Sequence, residues 1–396
     1  MAVDLAGKVV LRWDGAGDCA PLLEAGGIDA VIPGDAVRLC AREEFGRAGS
    51  VGIVAVNPGA WPGAQAAGRA VDGAIVAGAT SQPWVTANGY LIPYLRALFP
   101  DRPVLMGYAP EPTGPALPFS TLELALAEAW TAGGNCVLSP DQAYREALLR
   151  GDATALAAWS RMGQTARWLK QHRSLFLQPP LPTITVLADS GDASAEIASL
   201  MFRQNASPDL VPAGNPPSPD PLNRPVVAAA GIAPPSAALR RALLAHARAG
   251  AAVLTDAYGP AAWWRTMGIK LARAFEDREF YAVGSGRIVA YKQPIADPGD
   301  FALDAIDLAG ARRPARLWNC SAGIAIATRG AHPALHLVNY GGPVRGRVLA
   351  RRSGVFRAAT LLRPEEPDLP LPTYRRGAGT EVVLPGLNRV AVVVFE

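Results

Sequence analysis

The chain has 396 residues, of which 50% are hydrophobic and 18% charged, so it is too long for one ordinary domain and can fill two or three buried cores. Lys and Arg number 38 against 34 Asp and Glu, a net charge of +4, and the basic residues are scattered, which excludes a dedicated nucleic-acid binder with its basic stripe or known module. No apolar run approaches the roughly 18 to 20 residues that cross a bilayer, and the N-terminus "MAVDLAGKVVLRWDG" lacks the basic region and long apolar core of a signal peptide; a cytoplasmic protein with no membrane partner is expected.

The first unit, 1–178, alternates short apolar runs with helical stretches. "KVVLRW" (8–13), "DAVIP" (29–33), "SVGIVAV" (50–56), "DGAIVAG" (72–78), "RPVLMGY" (102–108) and "NCVLS" (135–139) read as strands, being short, apolar and ended by turn residues. Between them "CAPLLEAGG", "AVRLCAREEFG", "LIPYLRALF" and "STLELALAEAWTAGG" carry helical spacing and often stop at glycine. Strict alternation predicts a parallel sheet with right-handed crossovers, either doubly wound or a barrel. Six strands fall short of the eight of a full (β/α) barrel, so a barrel would be reduced or have two cryptic strands.

A long helical stretch from Asp141 to Phe176 runs into "LQPPLP", which cannot continue a helix and marks a boundary. The second unit, 179–298, alternates again: strand "TITVLAD", helix "SAEIASLMFRQN", a proline-dense loop over 208–225, strand "PVVAAAG", helix "SAALRRALLAHARAG" and strand "AAVLTD". It reads as a small open α/β domain, closed by the hairpin "EFYAVGSGRIVAYKQP" turning at Gly284 to Gly286. The third unit, 299–396, becomes β-rich from Ala315 onward, with short strands separated by turn signals, and predicts an antiparallel β-sandwich.

Cys19, Cys40, Cys136 and Cys320 are far apart and read as buried thiols rather than a disulfide framework or a zinc site. His332 and His336 in "HPALH" are set in a strand pattern after a proline, without the glutamate and helix of a zinc protease. "VGSGR" lies in a hairpin and opens no helix, so a nucleotide-binding loop is not indicated. Neither a metal nor another cofactor is expected.

The order of barrel-like α/β unit, open α/β unit and β-sandwich resembles bacterial glycoside hydrolases of the β-galactosidase type with a glutamine-amidotransferase-like middle domain. The likeness rests on "WLKQHRSLF" at the close of the first unit, "YAVGSGRIVAYKQPIADPGDF" at the close of the second, and "LHLVNYGG", "TLLRPEE" and "TEVVLPGLNRVAVVVFE" in the third. It covers most of the chain after about residue 150, and its motifs are structural. It implies a saccharide ligand and a homo-oligomer formed through the middle domain. Two departures stand out. The turn "AAAGIAPPS" has no cysteine where an active amidotransferase carries its nucleophile, and no glutamate ends the fourth strand, where the loop "GATSQPWVTANGY" (78–90) stands instead.

In parallel α/β folds ligands collect at the carboxyl ends of the strands. Those ends carry Asp14, Asp35, Asn57 and Trp61, the loop with Gln82, Trp84 and Asn88, then Tyr108, Glu111 and Asp141. Aromatic faces with amide and carboxylate edges suit a sugar, whose CH faces stack and whose hydroxyls pair; Asn57, Trp61, Gln82, Trp84, Asn88 and Tyr108 are the expected substrate contacts. Glycoside hydrolysis needs two carboxyl groups, one protonated and one ionised. Asp14 is the first candidate, with Glu111 as the acid and Asp35 as a further possibility. Asp35 and Asp141 read equally well as helix N-caps. The alternative to catalysis is a carbohydrate-binding or assembly protein on the same scaffold that has lost its acids.

Overall fold

The computed structural model describes residues 5, 7–14, 17–48, 53–63, 70–71, 74–75, 85–109, 117–214, 225–256, 262–294, 297–310 and 313–396. The first part contains strands β1 (Val10–Trp13), β2 (Ala30–Pro33), β3 (Val37–Cys40), β4 (Ile53–Val56), β5 (Ala70–Val71), β6 (Ala74–Ile75), β7 (Leu105–Gly107) and β8 (Asn135–Leu138). Its helices are α1 (Ala20–Leu23), α2 (Leu91–Leu98), α3 (Thr121–Thr131), α4 (Gln142–Leu149), α5 (Ala153–Gln171) and α6 (Arg173–Phe176). Six of these strands form one sheet in the order β2-β1-β8-β7-β4-β3, and every described pairing in it is parallel.

Read from its other edge, the order β3-β4-β7-β8-β1-β2 is chain order rotated by two strands. That is the wall of a curled barrel cut open between β2 and β3. The cut has a local cause: only Gly34–Ala36 joins these two strands, whereas pairing parallel neighbours takes a crossover of about a dozen residues. Val10, Ile32, Val37, Ala55, Leu105 and Val137 fill the concave face. Leu11, Val56, Met106 and Leu138 of the convex face pack under the helices.

The fold departs from the sequence expectation in two stretches. The stretch "AVRLCAREEFG", read as helix, contains β3, paired with β4 from Val37↔Ile53 to Cys40↔Val56; its β-branched Val37 and its Leu39 turn to the concave core and Cys40 to the other face. Asp35 therefore lies in a 3-10 turn before a strand and caps no α-helix. Of "DGAIVAG" (72–78), expected as a strand of the parallel sheet, Ala74 and Ile75 alone are among the described residues, and they form an antiparallel ladder with Ala70–Val71 apart from that sheet. Asp141 does cap a helix, accepting from the Tyr144 N–H at 2.7 Å, and Asp152 begins the next one.

The middle part contains β9 (Ile184–Ala188), α7 (Asp192–Arg203), β10 (Asp209–Pro212), β11 (Val226–Ala229), α8 (Ala237–Arg248), β12 (Ala252–Thr255), β13 (Leu271–Ala274), β14 (Arg278–Val283), β15 (Gly286–Tyr291) and α9 (Pro298–Ala309). Its sheet runs β10-β9-β11-β12-β15-β14-β13, parallel as far as β15 and antiparallel beyond. The hairpin turns at Gly284, whose φ of +60° suits glycine. Phe301, Ala302, Ala305 and Ile306 of α9 pack beside α7 on this sheet, although the sequence boundary at 299 assigns that segment to the last unit.

The last part holds β16 (Ala315–Trp318), β17 (Gly323–Ala327), β18 (Ala334–Asn339), β19 (Val344–Ser353), β20 (Ala359–Arg363), β21 (Glu366–Leu371), β22 (Tyr374–Arg376), β23 (Gly379–Leu387) and β24 (Val390–Phe395). They form two antiparallel sheets, β16-β19-β23-β22 and β17-β18-β24-β20-β21, whose facing side chains, among them Leu335, Val348, Leu384 and Val393, share one core. No helix among the described residues is long and apolar enough to cross a membrane.

Candidate active site

The carboxyl end of β1 presents Asp14. Alternation along β1 puts Val10, Arg12 and Asp14 on the concave side, and Arg12 Nε stands 3.0 Å from Asp14 Oδ2. The carboxylate lies against the turn that leaves β2: a Cβ on Gly34 would come within 1.6 Å of Asp14 Oδ1. Glycine at 34 therefore makes room for Asp14, and the exposed Asp35 follows in the same turn. At the end of β4 the half-buried Asn57 donates its N–H to Cys40 O at 2.8 Å and accepts from the Gly59 N–H at 3.0 Å. Glu111, Gln82 and Trp84 lie outside the described residues.

Three other residues expected from the sequence come together, around a carboxyl the sequence reading overlooked. Trp61 stacks on Tyr108 with ring centroids 4.5 Å apart. Asn88 donates from Nδ2 to Tyr108 Oη at 3.1 Å and to Ala60 O at 2.9 Å. Tyr108 in turn donates to Glu128 Oε2 at 3.2 Å. Oε1 of Glu128 accepts from the Asn88 and Gly89 N–H groups at 2.5 and 2.9 Å and from Tyr340 Oη at 2.8 Å. Burial pushes the Glu128 carboxyl up to about 7, against the pull of these hydrogen bonds.

This cluster is enclosed. Glu128 is 1% exposed, Tyr108 1% and Tyr340 5%, so the carboxyl meets loop, helix and β-sandwich rather than solvent. Two of its four donors are backbone groups just ahead of α2, which it serves as an N-terminal acceptor supplied by another helix. The same junction buries Phe202 of α7 with Leu124, Ile326 and Val338, so all three parts of the chain share it. A signal for Glu128 exists in the sequence: every α3 position from Leu124 to Thr131 is buried, and a helix apolar all round can hold a glutamate only if the carboxyl is buried and paired.

The chemistry available is thus divided between an accessible carboxylate, Asp14, with Arg12 beside it, and a sealed carboxyl, Glu128, that keeps its proton to unusually high pH. Among the described residues no group of three or more His, Cys, Asp or Glu side chains is placed to hold a metal ion.

No protein-family model and no curated protein sequence matches the chain. In structure it is similar to a β-galactosidase from Bacillus circulans sp. alkalophilus, with a TM-score of 0.58 at 10% identity over 90% of this chain and 62% of that one. It is similar also to α-L-fucosidase isoenzyme 2 from Paenibacillus thiaminolyticus, with a TM-score of 0.54 at 11% identity over 78% of this chain and 62% of that one. A GH42 β-galactosidase from G. stearothermophilus gives 0.54 at 9% identity, over 90% of this chain and 61% of that one. The chain spans less than two thirds of the length of these structures, and its fold is glycoside hydrolase-like.

Proposed function

We propose that this chain is a glycosidase-like protein that takes a saccharide or glycoconjugate at the carboxyl ends of the half-barrel strands, with Asp14 as the ionised carboxylate and Glu111 as its acid partner. The observation that carries this reading is the placement of Asp14: a carboxylate on the concave face, at the strand end where such folds bind ligands, beside a glycine whose lack of a side chain leaves it room. The fold likeness to glycoside hydrolases supports it. In such a reaction one carboxyl protonates the leaving oxygen while the other attacks the anomeric carbon or activates water, at separations of about 5 to 10 Å. Asn57 and the loop carrying Gln82 and Trp84 are the proposed sugar contacts around Asp14.

A second reading, a carbohydrate-binding or assembly protein without turnover, is favoured by one specific observation. Glu128, the carboxyl of the first part whose pKa burial raises, is enclosed by its own donors and cannot reach a sugar. Self-association through the middle part fits either reading. A screen of chromogenic glycosides and oligosaccharides with the purified protein, run beside Asp14→Asn and Glu111→Gln, separates them. Turnover that either substitution abolishes, with circular dichroism unchanged, supports catalysis. Saturable sugar binding that survives both, with no turnover on any substrate, leaves the binding protein.

A further inference from the structure

At the junction of the three parts, a cavity of about 360 Å³ opens between α2, the end of α3, the 176–180 linker, α7 and β17. Its size falls within the roughly 300 to 1,000 Å³ of small-molecule sites. The walls are mainly apolar, with Phe176, Phe202 and Ile326 among them, and the charged side chain lining it is Arg96. Two hydroxyls in the walls, Thr131 Oγ1 and Ser207 Oγ, belong to residues 6% and 7% exposed and have no hydrogen-bond partner among the described residues. Buried polar groups are ordinarily paired, and leaving one unpaired carries a desolvation penalty. Ser207 is also held at φ +41°, a left-handed conformation uncommon for a residue other than glycine.

Arg96 has no ion-pair partner among the described residues. One guanidinium nitrogen donates to Gly133 O at 2.8 Å, just past the end of α3, and leaves other N–H groups of the fork available. We propose that this cavity is a binding site, separate from the half-barrel mouth, for a small monoanion with an apolar tail, such as a medium-chain or aromatic carboxylate. The tail occupies the apolar walls, the carboxylate meets Arg96, and Thr131 and Ser207 supply hydroxyl donors. Gly133 lies just before β8, so this wall is at the amino end of that strand, away from Asp14. A ligand there touches every part of the chain and ties the three together.

The test is isothermal titration of the full chain with hexanoate and with 1-hexanol, using the native protein, Arg96→Gln and Ala132→Phe, the last adding bulk to the cavity wall. Expected is one saturable site for hexanoate, weakened roughly tenfold or more by Arg96→Gln, since a charge-assisted hydrogen bond is lost. Hexanol binding should be unchanged by Arg96→Gln, and Ala132→Phe should remove both ligands. Absence of saturable hexanoate binding, or hexanoate binding indifferent to Arg96→Gln, overturns the proposal, as does binding that persists in folded Ala132→Phe. If Ala132→Phe does not fold, the Arg96→Gln comparison decides alone, because hexanoate and hexanol differ only at the charged end.

Discussion

Tyr340 Oη donates to Glu128 Oε1 across 2.8 Å although 212 residues separate them in the chain. The bond joins the β-sandwich to a helix of the half-barrel, and the same oxygen also serves the backbone ahead of α2. Removing the acceptor strands two backbone N–H groups and two phenol hydroxyls in a dry junction. Glu128→Ala should therefore cost on the order of 3 kcal/mol or more. Glu128→Gln keeps an accepting oxygen, stands in for the protonated carboxyl and should stay within about 1 kcal/mol below about pH 4.5. Urea denaturation monitored by tryptophan fluorescence compares them; equal losses in the two variants would show that packing, not hydrogen bonding, sets the value.

The pH dependence of that junction has a definite sign. Burial raises the Glu128 carboxyl from an ordinary value of 4.5 to about 7 in the folded chain. Between those values the folded protein holds a proton that the unfolded chain has released. The stabilisation is full below about pH 4.5 and is lost as pH rises through about 7. Its size is at most on the order of 3 kcal/mol. Measured against Glu128→Gln from pH 4 to 9, the native protein should lose relative stability across that window. A flat difference would mean that Glu128 is ionised throughout.

What the sequence made legible follows from how local each signal was. Most of the parallel strands and the α3 and α8 helices are announced by runs that need no distant partner, and the cap at Asp141 by the next residues along; the break at Asp152, which splits the expected 141–176 stretch into α4 and α5, is not. β3 was not legible: "VRLC" has helical spacing on paper and becomes strand because β4 lies alongside it. The edge strand β10 sits in a proline-dense segment that reads as loop, and α9 begins at a proline after a hairpin, with its apolar face matched to a sheet built earlier in the chain. Trp61, Asn88 and Tyr108 stand after strands in the sequence, and in the fold they meet in a buried cluster. Their common centre, Glu128, stands in mid-helix, where a glutamate looks ordinary until the burial of its neighbours is known.

Gly163 stands inside α5, where replacement by alanine ordinarily stabilises by about 1 kcal/mol. Here the sign should reverse. A Cβ at this position would lie 1.8 Å from Ala25 O and 2.8 Å from the Gly26 carbonyl carbon. The obstacle is backbone, which cannot rotate aside, and the same contact holds Trp159 Nε1 donating to Leu22 O at 2.7 Å. Gly163→Ala should destabilise by about 1–3 kcal/mol or more. A melting temperature at or above that of the native protein would show that α5 and the Ala25–Gly26 turn can move apart freely.

Arg42 reaches from the first part to Asp192 at the start of α7 and also donates to Gly191 O. The contact looks like a clasp between parts, but the Asp192 side chain is 91% exposed, so water competes for it and salt screens it. A double-mutant cycle with Arg42→Ala and Asp192→Ala should give a coupling of about 0.2–1 kcal/mol that shrinks as salt is raised. A coupling well above that range, insensitive to salt, would mean that the pair is desolvated in solution.

The role proposed for Asp14 can be tested without touching its carboxylate. Gly34 has no positive φ, so an alanine there adopts the native backbone without strain and should, by restricting the unfolded chain, stabilise slightly, by about 0.4–1 kcal/mol. Its Cβ, however, would sit 1.6 Å from Asp14 Oδ1, so the carboxylate must swing away and break its 3.0 Å pairing with Arg12. If Asp14 acts on a saccharide, Gly34→Ala should reproduce the functional loss of Asp14→Asn, roughly tenfold or more, since a misplacement near 1 Å is enough. Stability should be unchanged or raised. Full saccharide turnover or binding in Gly34→Ala, with the displaced carboxylate verified by a structure of the variant, would remove Asp14 from the site and move the search to Glu111 and the 78–90 loop.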